Sequence, residues 1–359
     1  MEKQWTMREY REGDEARIIE YLNRTLAPEK KRSLRYWQWE YKHNPTGITT
    51  IWVAVDGAIL AGHYALMPLK FKVGHTTYLG AQSIDTFTHD DYRRLGIFVA
   101  LANKVYALAS DHGVAVLYGF PSTAAYQGFV EKLGWIKVTS LDKLTKPVDV
   151  KSLVFLAAPL LRRLQFKALF DVIKGFAIGD FRRRKLLRGF TGATLRSVSK
   201  FNGAADELWR NLAAEKTVRV VKDSKYLNWR YIQKPGNRYA AFQISLAQSV
   251  LGYVVVETRP DRGRYLKKGL VLDIIGKTDR PHLTYLISAS EHILRKLGCD
   301  TIAFWAPRGS RAHDIISSEG YVSRGELILI ARQNRHEVRE PAIRRPKDWF
   351  IMSGDTDVV

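Results

Sequence analysis

The 359-residue chain holds a single cysteine, Cys299, so it cannot build an internal disulfide framework. That economy suits a reducing compartment, and a cytoplasmic protein is expected. The nine histidines show no paired ligand spacing, which argues against a zinc site, and the triplet HDD at 89–91 reads as a solvated turn rather than a metal cluster. No opening stretch joins a basic start, an apolar core and a small-residue cleavage site, so a secretory leader is not expected. Long apolar runs are also missing: the segment SLVFLAAPLL at 152–161 stops at arginines and is too short to cross a bilayer. Acidic residues are scarce, 36 against 57 Lys and Arg, for a net charge of +21. Residues 146–200 alone carry 13 Lys/Arg against three Asp. Such a field favours an anionic partner without choosing among phosphorylated small molecules, nucleic acid and acidic membrane.

What is present is a globular composition, 46% hydrophobic and 11% aromatic, with length for two domains. Asp56-Gly57 sits between two β-rich runs and predicts a hairpin, and a second strand pair turns near Gly74-His75. Phe98, Leu101, Val105 and Leu108 recur at helical spacing, and His112-Gly113 marks a stop. VAVLYGF at 114–120 then reads as a buried strand, and the next helix ends at Gly134.

The second half repeats this plan. YWQWEYKHNP at 36–45 matches YLNWRYIQKP at 226–235, pairing Trp39, Tyr41 and Pro45 with Trp229, Tyr231 and Pro235 at an offset of 190. SIDTF pairs Asp85 with Asp273 at 188, and EKLGW pairs Gly134 with Gly320 at 186. Ordered anchors with slowly drifting offsets predict two copies of one α/β unit. The aromatics Trp37, Trp39 and Tyr41 could form a stacking platform for a sugar or base, but their echo in Trp229 and Tyr231 favours shared structure. The boundaries expected are 1–145 for the first copy, 146–200 for a basic helical connector, 201–334 for the second copy and 335–359 for an extended tail. Within the connector, 153–188 has two readings: a helix that packs on a domain, or an interfacial helix touching an acidic membrane.

The copies differ at one place. YRRLGIF at 92–98 stands where the second copy has TDRPHLT, without the glycine. A helix start leaves amide groups without internal acceptors, its dipole is positive, and a glycine there lets an anion approach the backbone. Flanking arginines add attraction. The loop is therefore a candidate diphosphate cradle, and the first copy is the one expected to keep a site.

A strand meander, this loop, a helix, a strand, a helix and a final LGW together resemble the GNAT acetyltransferases, strongly over about 1–145 and weakly over about 200–332. The resemblance implies a mixed α/β fold, a mostly antiparallel sheet with flanking helices, in two tandem GNAT-like domains. It also implies acetyl-coenzyme A as cofactor. The family loop follows Arg/Gln-x-x-Gly-x-Gly/Ala, and Arg93, Gly96 and Phe98 occupy those positions; Phe98 departs from the usual small residue. Carried over, Thr86, Phe87 and Thr88 would pair their backbone with the pantetheine arm. Arg94, Leu95, Gly96, Ile97, Phe98 and Val99 would surround the diphosphate through their amides. Ser122, where the branch has asparagine, would add a hydroxyl.

Acyl transfer to an amine needs a group to take a proton and another to supply one. Asp85, an acid inside the strand AQSIDTFT, is the candidate base or amine-binding group, with a structural hydrogen bond as the other reading. The family's usual acid, a tyrosine in YEKLGF, is Val130 here, so Tyr126 one turn earlier is the candidate acid. The expected function is acetyl transfer to a small, anionic amine acceptor such as a nucleotide- or lipid-linked amino sugar of envelope polysaccharide synthesis. Two alternatives stand beside it: a non-catalytic protein that binds polyanions or membrane on this scaffold, and a FemAB-like aminoacyl transferase. Nucleic acid is not favoured as a partner.

Overall fold

The computed structural model describes residues 3–26, 31–148, 190–236, 238–261 and 266–357. The segment 153–188, with its two readings of a packing helix and a membrane contact, lies outside the described residues, as does most of the connector. The rest divides into two compact units, neither continuous in sequence: Met1–Val138 with Gln233–Gly236 and Ile328–Arg345, and Thr139–Ile232 with Asn237–Leu327 and Pro346–Val359.

Unit 1 runs β1 (Thr6–Glu9), α1 (Asp14–Thr25), α2 (Leu34–Trp37) continued by a π turn at Gln38–Lys42, β2 (Thr50–Asp56), β3 (Ile59–Gly74), β4 (Thr76–Thr88), α3 (Ile97–Asp111), β5 (Val114–Gly119) and α4 (Thr123–Gln127), itself continued by a π turn at Gly128–Lys132. Strands β1 to β4 are antiparallel neighbours, and β5 joins β4 in parallel. On the far side of β5 lie Ile330–Gln333, from the end of the chain's last long strand. The buried stripe of α3 is Ile97, Leu101, Val105 and Ala109, with Phe98 and Leu108 at its margin. Helix and sheet meet closely because β3 carries Gly62: a Cβ there would lie 2.6 Å from Ile97 Cγ2.

Unit 2 holds most of β6 (Ile136–Pro147), then β7 (Thr194–Val198), α5 (Gly203–Leu212), β8 (Thr217–Val220), α6 (Ser224–Leu227) with a π turn at Asn228–Ile232, β9 (Tyr239–Leu246), β10 (Ser249–Asp261), β11 (Leu266–Gly276), α7 (Arg280–Lys296), β12 (Thr301–Pro307) and α8 (Arg311–Ser318). Its sheet order is β6-β12-β11-β10-β9-β7, with β11 and β12 parallel. The repeat is visible in fine detail. Both α2 and α6 pass into π turns 190 residues apart. Gly252 stands 190 residues after Gly62 and plays its part, since a Cβ there would lie 2.9 Å from Leu286 of α7. Trp37, Trp39, Tyr41, Trp229 and Tyr231 are all buried.

The tail differs from the expected extended arm. Trp349, Phe350, Ile351 and Met352 are buried, and Phe350 and Met352 belong to the core of unit 2. Four consecutive apolar side chains reward packing, and the arginine-proline clusters before them only mark turns.

Candidate functional site

The site is a parting of two strands. β4 and β5 pair from Leu79–Val114 to Ser83–Gly119 and no further. Beyond that point the edge of residues 84–88 that faced β5 has no strand partner among the described residues, which leaves room there for an extended ligand to pair; the Thr88 carbonyl accepts from the Tyr21 hydroxyl at 3.3 Å. The register between β3 and β4 slips between His63 and Ala65, which bulges β4 at Asp85, where φ is 52°. His63 fastens the bulge: its Nδ1 donates to the Asp85 carbonyl at 2.7 Å. Burial pushes the His63 pKa down, so the ring is neutral, and its Nε2 is buried without a hydrogen-bond partner among the described residues.

The glycine loop lies next along the chain. Arg94 and Gly96 have φ of 65° and 79°, and α3 starts at Ile97. The first helical bond runs from the Ala100 amide to the Gly96 carbonyl at 3.0 Å, so the amides of Ile97, Phe98 and Val99 have no intrahelical acceptor. Residues 93–96 are exposed, and a Cβ on Gly96 would meet nothing within 4 Å. Arg93 pairs with Asp90 at 2.6 Å, a bond between two exposed side chains that a bound anion can displace.

Phe98 does not obstruct this cradle. Its ring packs inward, 5.2 Å from Phe129 and 6.2 Å from Tyr64, centroid to centroid. Space for it comes from Gly128, where a Cβ would stand 2.9 Å from Phe98 Cε1. The large residue at a family position of small ones is thus matched by a small residue on the facing helix. Gly128→Ala should therefore destabilise the chain by about 1–3 kcal/mol despite Ala's better helix propensity. Denaturant midpoints of Gly128→Ala and Gly128→Ala/Phe98→Leu check this, with recovery in the double variant.

The Asp85 carboxylate is engaged. Its Oδ2 accepts from the Arg32 guanidinium and from the Tyr41 hydroxyl at 2.7 Å, and Arg32 also holds Glu40 at 2.8 Å. Burial alone would lower the Arg32 pKa, but Asp85 and Glu40 hold it well above its ordinary value. Burial, then Asp85 and Glu40, push the Tyr41 phenol well up, so it stays a donor. Oδ1 of Asp85 has no hydrogen-bond partner among the described residues.

Residues 6–138 match the family model of the GNAT acetyltransferase domain. Solved structures align along nearly the whole chain. A GCN5-related N-acetyltransferase from Anabaena variabilis is 13% identical with a TM-score of 0.64, over 92% of this chain and 73% of that one. One from Kribbella flavida is 12% identical at 0.59, over 92% and 71%. A tandem GNAT protein from the clavulanic acid biosynthesis pathway is 12% identical at 0.55, over 92% and 99%. The chain has the tandem GNAT fold. No curated protein matches it by sequence.

Within the first GNAT copy the other sequence candidates fall as follows. Thr86, Phe87 and Thr88 lie on the unpaired β4 edge; the Phe87 ring stacks on Tyr21 at 4.0 Å, leaving its backbone to the cleft. Ser122 caps α4, its hydroxyl accepting from the Ala125 amide at 3.4 Å, and is exposed. Tyr126 packs against the core of unit 1, and its hydroxyl makes no hydrogen bond among the described residues, to Asp85 or otherwise. Sequence reasoning did not single out Arg32, His63 or Ser83, and it took Tyr41 for a structural aromatic with no link to Asp85. One signal was available: Arg32 and Lys222 stand 190 residues apart, the offset of the aromatic anchors.

In the second GNAT copy the same parts are assembled without a cradle. β11 and β12 pair only from Lys268–Thr301 to Leu270–Ala303 before parting. The chain's own tail lies against that edge: Ser353 Oγ donates to the Val271 carbonyl at 3.3 Å, and Gly354 sits on the Tyr231 hydroxyl and the Leu272 carbonyl. Asp273 Oδ2 accepts from Lys222 at 2.5 Å and Tyr231 at 2.6 Å, as Asp85 does from Arg32 and Tyr41. Where the first copy has Glu40, the second has Arg230, which donates to the Gly354 and Thr356 carbonyls, and Asp355 supplies the second carboxylate to Lys222.

Proposed function

We propose that the protein is an acetyl-coenzyme A-dependent N-acyltransferase whose first copy holds the cofactor. The observation that carries this reading is the meeting, in one unit, of an open glycine at a helix start with an unpaired strand edge beside it. Amides from Arg94 to Val99 would bind the diphosphate, with Arg93 and Arg94 adding charge and Ser122 a hydroxyl. Thr86, Phe87 and Thr88 would bind the pantetheine arm through their backbone. The cofactor brings an activated acyl group.

The chain's own residues do the rest. Arg32 and Tyr41 fix the Asp85 carboxylate through one oxygen, which leaves Oδ1 to orient an amine or take its proton, directly or through water. Tyr126 carries the unengaged hydroxyl that can return a proton. The acceptor is proposed to be a small anionic amine, such as an amino sugar on a nucleotide or lipid diphosphate, because a chain of net charge +21 concentrates anions around itself.

Calorimetry with acetyl-coenzyme A tests the cofactor assignment: wild type should bind one equivalent. Asp85→Asn tests the chemistry. Asn tolerates the left-handed backbone at 85, and Glu40 still satisfies Arg32, so the variant should fold. Turnover, read as thiol release with an amino-sugar nucleotide, should fall about 100-fold with cofactor affinity within about threefold. Asp273→Asn is the control for a purely structural role; an equal loss of turnover there would remove Asp85 from the chemistry.

A further inference from the structure

A buried file of polar groups ends at the place where β4 and β5 part. Trp135 Nε1 donates to the Tyr106 hydroxyl at 2.7 Å, the Tyr106 and Tyr64 hydroxyls lie 2.7 Å apart, and Ser83 Oγ lies 3.0 Å from the Tyr64 hydroxyl. Tyr64, Tyr106 and Trp135 are buried, whereas Ser83 is half-buried at the last paired position, opposite Gly119. A Cβ on Gly119 would come within 3.5 Å of Ser83 Cβ, so glycine keeps the space beside the serine open. No role described so far uses these groups, and three polar side chains in an apolar core are costly unless their arrangement does something.

The polarity of the file can be reasoned out. An indole can only donate, so Trp135 sets the inner end. With Ser83 donating inward to Tyr64, the Tyr106 proton is left without an acceptor among the described residues. Reversed, Trp135 donates to Tyr106, Tyr106 to Tyr64 and Tyr64 to Ser83, and the one proton left over is that of Ser83, at the cleft. An acceptor of growing negative charge at the cleft favours this second arrangement, and each donor in the file polarises the next. Burial pushes both phenols up, Tyr106 to about 12, so the file supplies hydrogen bonds and does not ionise.

We propose that Ser83 donates a hydrogen bond to the cofactor sulfur as the thioester carbon–sulfur bond breaks, with Tyr64, Tyr106 and Trp135 as positioning residues behind it. This rests on the acyltransferase reading. The carbon–nitrogen bond forms, the electron pair of the carbon–sulfur bond stays on sulfur, and the amine proton leaves through Asp85 or water. Ser83 keeps its own proton throughout. The arrangement suits a chain that has Val130 where a tyrosine acid is usual, since it steadies a thiolate before protonation.

The test is the acidity of the bound thiol, which needs no acceptor. Full-length protein saturated with coenzyme A is titrated and the thiolate absorbance read as a difference from unliganded protein, which removes the contribution of Cys299. A charge-assisted hydrogen bond should make the bound thiol about one pKa unit more acidic in wild type than in Ser83→Ala, with Tyr64→Phe in between. Thermal melts confirm that each variant is folded. Identical thiol titrations in wild type and Ser83→Ala overturn this inference while leaving the cofactor reading intact. Failure of wild type to bind coenzyme A overturns both.

Discussion

Gly96→Glu is expected to lose acetyl-coenzyme A binding by at least about 100-fold, or about 3 kcal/mol, in a calorimetric titration. Three effects act together. Gly96 has φ of 79°, and a residue with a Cβ pays about 1–2 kcal/mol to stay in the left-handed region. The new carboxylate lies beside the α3 amides and takes the electrostatic place of the phosphate oxygens. A bound diphosphate would also feel direct repulsion. Gly96→Ala separates these effects, because the space at the missing Cβ is open and no charge is added. It should lose only about tenfold, the cost of drawing back into the left-handed region a loop that alanine lets relax when no ligand is bound. Both variants should melt with the wild type to within a few degrees, since residues 93–96 are exposed and carry no core contact. Equal heats for wild type and Gly96→Glu would sink the cradle.

The cradle could be read from residues because its parts are local. A strand, two arginines, a glycine and a helical stripe occur within some 20 residues, and each has its own signature. The repeat was legible for another reason: buried aromatics such as Trp39 and Trp229 cannot be exchanged freely, so their spacing survives. What lay beyond reach was contact between distant segments. Ile330–Gln333 completes the sheet of unit 1, and most of β6 belongs with unit 2, yet nothing in either strand's alternation says which neighbour it will take. Arg32 reaches Asp85 across 53 positions, and Ser83 reaches Trp135 through two tyrosines. The tail enters the core against its charged flanks because four apolar residues, Trp349 to Met352, stand together at their centre.

Asp85 had two readings in the sequence, and the second copy sharpens the choice between them. Its partner Asp273 is bound by a cation and a tyrosine in the same way, so the network itself is structural in both copies. The difference lies in what surrounds the remaining oxygen. Asp273 Oδ1 is buried without a hydrogen bond among the described residues, on a strand whose edge the tail lies against, whereas Asp85 Oδ1 stands beside an unpaired strand edge. One framework thus leaves the remaining oxygen beside an unpaired strand edge in the first copy, where the Asp85 side chain is 6% exposed, and against the chain's own tail in the second, where that of Asp273 is 0% exposed.

Burial makes the second copy sensitive to loss of its cation. Lys222→Met is expected to destabilise the chain by about 3–5 kcal/mol at neutral pH, the cost of removing the cation that two buried carboxylates share. Asp273, Asp355 and Lys222 are all nearly inaccessible, and Lys222 bonds both acids. Burial already pushes the Asp355 carboxyl up, with Lys222 pulling it back. Without the lysine Asp355 would bind a proton more readily in the folded chain than in the unfolded one. A raised folded pKa gives stability that is present at low pH and lost as pH rises through that value, so the deficit of Lys222→Met should be largest near pH 8 and shrink toward pH 5. Urea midpoints at the two pH values measure it. Adding Asp355→Asn should recover part of the loss at pH 8 and little at pH 5, because one of the two carboxylates that shared the lysine is then neutral. A deficit independent of pH would mean that Lys222 contributes packing alone, and that the tail is held by Ser353, Gly354 and the apolar residues before them.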